Sequence, residues 1–388
     1  MLKKVLINVC GGDLAGGGIA SMFRESLPGF VSMCDRQGWK LLSVSSEPNS
    51  ATNRQFVFNS AEYAERHMEA ARFVERLMGD LGNAEAGVFV WGYTSYFPNA
   101  FQPYVHTGQV KLVWADSSPP DTDQLNANIR TGRFVAEAYA GTTAIVWCWH
   151  DFNETDARLV SRVPPGVRLA KTSRPFPADY LRSLQVTGSY PAWAYRDQAD
   201  LATNEVVIVL SSSDYWSPCA AGKWMTHDQW REMWQRTELL LDEMEVFGEL
   251  LSRQGKTLVL VADPALSQVR PSARNFRLRF QKFQPRTYRH LLRAADAVIL
   301  RTTCCVTATE CAWLGVPQYL WLTPTQSYMN VEVMADAARE RNLILPIGAA
   351  FGRESREDVR AAVAKRAFAE AERFNRENSF FRTLEKLL

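Results

Sequence analysis

Residues 288–319 read YRHLLRAADAVILRTTCCVTATECAWLGVPQY, and the order of patterns in this stretch decides the fold. A basic helical segment closes on an Ala-Ala-Asp turn, and a short apolar strand follows. A Thr/Cys loop then feeds a second helix that carries Glu310 near its start. Gly315 and Pro317 give that helix its stop signal. Strand, polar loop and helix in this order form the repeating unit of a parallel α/β sheet. A polar loop at a helix N-terminus presents free backbone N–H groups and the positive end of the helix dipole, which suits a phosphate. A carboxylate one turn further in suits sugar hydroxyls. The two together fit a nucleotide diphosphate-sugar.

Outward from this stretch, strands and helices alternate along the whole chain. In the first half, apolar runs at 4–9, 87–92, 110–115, 144–149 and 167–171 read as buried strands. Helices are expected at 61–81 and 122–140, and the helix after the glycine-rich loop 11–18 is expected to break or restart at Pro28. Residues 173–204 lose periodicity and carry Pro175, Pro177, Gly188 and Pro191, so the domain boundary is set there. The second half restarts with EVVIVL at 205–210. A long helix over 227–254 follows, with Leu240, Leu241, Met244, Phe247 and Leu251 at helical period. Strands at 257–262, 276–280, 297–301 and 318–322 and helices from about 355 to the end complete it.

The expected class is α/β, with two doubly wound Rossmann-like domains facing across a cleft. The expected boundaries are a first domain at 1–175, a linker at 176–204, a second domain at 205–378 and a terminal helix at 379–388 crossing back to the first domain. In such sheets ligands bind beyond the carboxyl ends of the strands.

Composition agrees with an enzyme of ordinary kind. The 388 residues exceed one typical core, 46% are hydrophobic and 22% charged, and the net charge of +2 gives no global argument for nucleic acid. No run of apolar residues is long enough for a transmembrane helix. The N-terminal apolar run is too short for a signal peptide. The seven Cys lack framework spacing, which reads as reduced thiols in a cytoplasmic protein.

The segments ADAVILR (295–301) and TATECAWLGVP (307–317) resemble the C-terminal half of GT-B glycosyltransferases, most closely the peptidoglycan GlcNAc transferase group. That group carries a small-residue loop where this chain has Thr302, Thr303, Cys304 and Cys305, and the loop here is one residue longer. The resemblance implies a GT-B fold and a nucleotide-sugar donor, UDP-linked, with an N-terminal acceptor domain and a C-terminal donor domain. It implies that Glu310 binds the ribose hydroxyls and that Thr302, Thr303 and Cys304 line the diphosphate. Gln326 would lie near the donor sugar, and Phe283 in FQKFQP would lie where the base is gripped. KLVWADSSPP (111–120) is similar to a stretch of phage DNA β-glucosyltransferases. That likeness would make Asp116 the catalytic base and a modified DNA base the acceptor.

Read from the residues, Asp116 directly follows a buried strand, where a base for an acceptor hydroxyl is wanted. Its alternative role is to cap the next turn. Asp13, in the loop GGDLAGGG, is a second candidate. Gly16, Gly17 and Gly18 let backbone approach an acceptor, and His106 and His150 lie near strand ends. The glycines lack both GxGxxG and Walker spacing. Lys223, after the first strand of the second half, can reach a leaving phosphate, and Arg231 reads as surface. No metal site is expected, because Asp121-Thr-Asp123 reads as helix capping, and no cofactor is expected besides the donor substrate. Residues 270–293 hold eight Lys/Arg and no acid, interleaved with Phe276, Phe280, Phe283 and Tyr288. That pattern is either a solvated edge beside the donor or a nucleic-acid face.

The expected activity is metal-independent, inverting glycosyl transfer to an acceptor hydroxyl of DNA, a glycan, a lipid or a small molecule. A nucleotide-sugar 2-epimerase of the same fold is the first alternative, although the 302–310 loop lacks a His. A non-catalytic nucleotide-sugar or nucleic-acid binding protein is the second.

Overall fold

The computed structural model describes residues 4–10, 18–45, 54–60, 63–91, 96–116, 142–147, 168–176, 178–211, 227–264, 266, 275–281, 285–300, 306–321 and 356–388. The chain divides into two compact units, residues 1–177 with 371–388, and residues 178–370.

The first unit holds a seven-stranded, all-parallel sheet. Its strands are β1 (Val5–Cys10), β2 (Lys40–Ser45), β3 (Arg54–Gln55), β4 (Ala86–Trp91), β5 (Val110–Asp116), β6 (Ala144–Trp147) and β7 (Arg168–Lys171), in the order β3-β2-β1-β4-β5-β6-β7. Helix α1 (Gly18–Gln37) follows β1, α2 (Tyr63–Leu81) precedes β4, and α3 (Tyr96–His106) precedes β5. One sheet face, through Val5, Ile7, Val9, Val88, Val90, Leu112 and Trp114, packs on Val74, Leu77 and Met78 of α2 and Phe97 and Phe101 of α3. On the other face Phe89 and Trp91 meet Phe30 of α1 and Phe380, with Trp91 and Phe380 stacked at 5.9 Å. Both faces are covered, so β1 and β4 are buried from end to end, as parallel strands require.

Helix α1 runs unbroken through Pro28, against the expected break. The cost of the lost hydrogen bond is met by packing. The adjacent Gly29 leaves room for the Phe381 ring, which a Cβ there would overlap. The expected helix at 122–140 lies outside the described residues.

The second unit holds a five-stranded parallel sheet of β8 (Glu205–Leu210), β9 (Thr257–Ala262), β10 (Phe276–Phe280), β11 (Ala297–Leu300) and β12 (Gln318–Leu320), ordered β10-β9-β8-β11-β12. Its helices, among the described residues, are α4 (Ala178–Ser189), α5 (Trp193–Arg196), α6 (His227–Ser252), α7 (Pro285–Ala294), α8 (Val306–Leu314) and α9 (Glu357–Glu377). Leu240, Leu241, Met244, Phe247 and Leu251 of α6 pack on Val206, Ile208, Leu258, Leu260 and Ile299 of the sheet. The stretch read as a linker at 176–204 therefore contains two helices, and the second unit takes it in from Ala178 onward. From Ala371 the chain belongs to the first unit, including the last turns of α9 and helix α10 (Phe380–Leu387). Arg36 pairs with Glu385 at 2.8 Å, and Ser173 N donates to Asn378 O at 2.7 Å. No helix among the described residues is long and apolar enough to cross a membrane.

In both units the strand order reverses beside the first strand, between β1 and β4 and between β8 and β11. These are topological switch points. The crevice at their carboxyl edge is where an open α/β sheet takes its ligand.

Candidate functional site

In the second unit β8 and β11 are hydrogen-bonded neighbours, and Ser211 N, just beyond β8, donates to Ile299 O at 3.0 Å. The loops leaving these two strands therefore start side by side at the switch point. Helix α8 opens after the second of these loops and carries Glu310 in its second turn.

The Glu310 side chain is only 8% exposed. Its Oε1 accepts a hydrogen bond from the Tyr180 hydroxyl at 2.5 Å and one from Arg289 Nε at 3.2 Å. The Arg289 guanidinium also lies 4.1 Å from the centroid of the Tyr180 ring. One turn earlier on α8, Thr307 Oγ1 is 3.5 Å from the Tyr288 hydroxyl. Three helices thus converge on one carboxylate: α4 with Tyr180, α7 with Arg289 and α8 with Glu310. Each partner is charged or polar, as a buried carboxylate requires.

Local sequence explains the convergence. Tyr180, Leu184 and Thr187 recur at helical spacing along α4, and all three are buried. Gly188 ends that stripe, where a Cβ would sit 3.1 Å from Trp313 O, so the glycine allows α4 to lie close on α8. At the far end of α8, Gly315 has φ +66°, and Val316 N donates to Cys311 O at 2.8 Å, which closes the helix in a left-handed cap.

A second buried network fixes the other ends of these helices. Arg293, in the last turn of α7, donates to Tyr190 O from Nε and Nη2 at 3.0 and 2.7 Å and to Leu314 O from Nη1 at 3.3 Å. It also pairs with Glu357 in the first turn of α9. Arg360 donates to Ala295 O at 3.2 Å and to Arg293 O at 2.7 Å. Burial, and then the nearby Arg293 charge, lower the Arg360 pKa to about 10, so it remains a cation at neutral pH. Asp296, from the Ala-Asp turn, accepts Val207 N at 2.8 Å and Arg196 Nη1 at 3.4 Å. Its work is to pin β11 onto β8.

The other expected site residues are placed unevenly. Asp116 is the last residue of β5, paired in register with Trp147 at the carboxyl edge of the first sheet. Gly18 is the first residue of α1, which follows β1 at the first unit's switch point. His106 is exposed at the C-terminal end of α3, four residues before β5 begins, and so lies toward the amino edge of the sheet. Asp13, Gly16, Gly17, His150, Lys223, Phe283, Thr302, Thr303, Cys304 and Gln326 lie outside the described residues. Arg231 is exposed and pairs with Asp228 at 3.2 Å.

The basic strand β10 serves the chain's own acceptors. Arg277 pairs with Glu205, and Arg279 donates to Ala199 O and Asp200 O at 2.6 and 3.1 Å. Tyr180 and Arg289 were not singled out from sequence. Arg289 was hidden within the basic run at 270–293, and Tyr180 within the stretch read as a linker.

Two Rossmann-like α/β units, each with a topological switch point beside its first strand, give the chain the GT-B fold. The α,α-trehalose-phosphate synthase (UDP-forming) of Burkholderia vietnamiensis superposes with a TM-score of 0.61 at 11% identity, over 98% of this chain and 100% of that one. The trehalose-6-phosphate protein of E. coli bound with UDP-2-fluoro glucose gives a TM-score of 0.59 at 10% identity, over 99% of each chain. The UDP-GlcNAc 2-epimerase of Methanocaldococcus jannaschii gives 0.50 at 9% identity, over 87% of this chain and 94% of that one. No protein-family model matches the chain, and no curated protein matches it. At these identities the likeness establishes the fold.

Proposed function

We propose that this chain is a glycosyltransferase that moves a sugar from a UDP-linked donor to an acceptor hydroxyl, with inversion and without a metal. The observation that carries the reading is Glu310. It is a buried carboxylate held by two donors, one helical turn beyond the loop that leaves β11 at the switch point. A buried charge is expensive, and keeping one there suits a ligand that presents hydroxyls.

In this scheme Glu310 accepts the ribose hydroxyls, with Phe283 beside the base and Gln326 beside the sugar. Backbone N–H groups at the start of α8, with Thr302, Thr303 and Cys304, hold the diphosphate, and Lys223 balances its charge. Asp116 takes the proton from the acceptor hydroxyl. The acceptor oxygen bonds to the anomeric carbon as the bond to the diphosphate breaks, and the electron pair leaves on the nucleotide. Asp13, Gly16, Gly17, Gly18 and His150 are the acceptor side of the proposal. His106, toward the amino edge, is left out. The acceptor proposed first is a modified base in DNA, on the likeness of residues 111–120 to phage DNA glucosyltransferases. The likeness to the peptidoglycan GlcNAc transferase group makes glycan and lipid acceptors the next to try.

The test is release of UDP from UDP-glucose and UDP-GlcNAc in the presence of hydroxymethylated DNA, glycan and lipid acceptors. NMR would assign the anomeric configuration of the product. Inverted product is expected, and Asp116→Asn should lower kcat by about 10²- to 10⁴-fold while donor affinity holds. C2 epimerisation of UDP-GlcNAc without acceptor would replace the reading with an epimerase. Tight donor binding with no turnover would replace it with a binding protein.

A further inference from the structure

We infer that Tyr180 and Arg289 are positioning residues that fix Glu310 for a ribose diol, and so set the preference of the site for ribonucleotides. This rests on the donor-binding reading of Glu310 given above.

The geometry is that of a prearranged acceptor. The Tyr180 hydroxyl donates to Glu310 Oε1 at 2.5 Å. Arg289 donates to Glu310 and lies over the Tyr180 ring. Both of these hydrogen bonds reach Oε1 and hold the carboxylate from two helices. A carboxylate offers about four lone-pair directions, more than the Tyr180 and Arg289 hydrogen bonds use.

All three side chains come from helices, which hold a site more closely than loops do. Stability alone is a poor reason for the arrangement. A buried ion pair often contributes less than apolar residues of the same volume, and α4 already packs through Leu184, which is fully buried. A site built to accept two hydroxyls rejects a ligand that lacks them, because its buried acceptor is then left unpaired.

The experiment is isothermal titration of the full chain with UDP and with 2′,3′-dideoxy-UDP, for the wild type, Tyr180→Phe, Arg289→Lys and Glu310→Gln. The wild type should prefer UDP by about tenfold or more, a preference worth roughly one to two hydrogen bonds. Tyr180→Phe keeps the ring under Arg289 and loses only the donor. It should weaken UDP about three- to tenfold and leave the dideoxy analogue unchanged, so the ratio collapses. Arg289→Lys keeps the charge without the planar fork and should give an intermediate ratio. Thermal melts confirm that each variant is folded, and Arg289→Lys carries the test if Tyr180→Phe is not. A wild type that prefers UDP, with variants that keep the whole preference, would overturn the positioning role and leave the donor site standing. A wild type that binds both ligands equally, or neither, would remove the ribose role of Glu310 and the positioning inference with it.

Discussion

The two units share a strand order around their first strand but protect their interiors by different means. In the first unit one face of β4 is covered by aromatic side chains, with Phe30, Phe89, Trp91 and Phe380 in contact with one another. Phe56, Phe58, Phe73 and Phe97 form a second aromatic group. Arg174 is the buried charged residue there, among the described residues, and Asn8 meets Trp91 through a 2.8 Å hydrogen bond. The second unit buries Glu205, Arg293, Glu310 and Arg360. The last three, with Arg289, gather around α7, α8 and the start of α9. A fold that needed only stability would have little use for so many buried charges. Glu310 lies near the start of α8, after the switch-point loop, while Arg293 and Arg360 tie the opposite ends of α7 and α8, so the first unit is held mainly by packing and the second carries a polar interior.

That contrast can be broken at its largest effect by truncating Phe380. Phe380→Ala removes the ring that stacks on Trp91 and should cost about 4 kcal/mol in urea unfolding. Hydrogen exchange should show the loss in the first unit. An equal loss of protection in β8 and β11 would mean that the units do not differ in this way.

Arg293→Met probes the other side of the contrast. It keeps much of the apolar volume but abandons the carbonyls of Tyr190 and Leu314 and the pairing with Glu357. We expect a loss of about 3 kcal/mol, read in the same urea series and localised to the second unit. A neutral result would show that the ionic network is incidental.

The smallest effect concerns pH. Burial lowers the His67 pKa from 6.5 to about 4, with its ring 4.8 Å from Tyr96. The folded pKa lies below the unfolded one, so the neutral ring's contribution is complete above pH 6.5 and is lost as pH falls toward 4. His67→Phe should therefore flatten the acid limb of stability between those values without changing stability slope near pH 8. An unchanged acid limb would place the titrating group elsewhere.

Much of this was legible in the sequence where periodicity and stop signals agree. Strands β8, β9 and β11 read as apolar runs because they are buried on both faces. The stripe of α6 and the Gly315 cap were equally plain. Glu310 stands out as a candidate because its position after a strand and a polar loop has chemical meaning without any partner. Tyr180 does not, because Pro177 and Gly188 read as loop markers. In the structure Gly188 lies inside α4, one residue before its end, where it allows close packing on Trp313 O. Tyr180, Leu184 and Thr187 carried the periodic signal, but over too few turns to outweigh the prolines.

Pro28 failed in a similar way, since tertiary packing around Gly29 and Phe381 overrode a local breaker. The basic run at 270–293 left two readings open for a different reason. The partners of Arg277, Arg279 and Arg289 are Glu205, two backbone carbonyls and Glu310, all distant in sequence. Charge patterning along a chain cannot show contacts of that kind.

The central claim is that Glu310 belongs to a nucleotide-sugar site, and calorimetric titration with UDP-glucose and UDP-GlcNAc tests it most directly. The wild type should bind at least one of them, and Glu310→Ala, folded by its thermal melt, should bind it about tenfold to a hundredfold more weakly. Binding by the variant as tight as that of the wild type, or no binding of either donor by the wild type, would contradict the account.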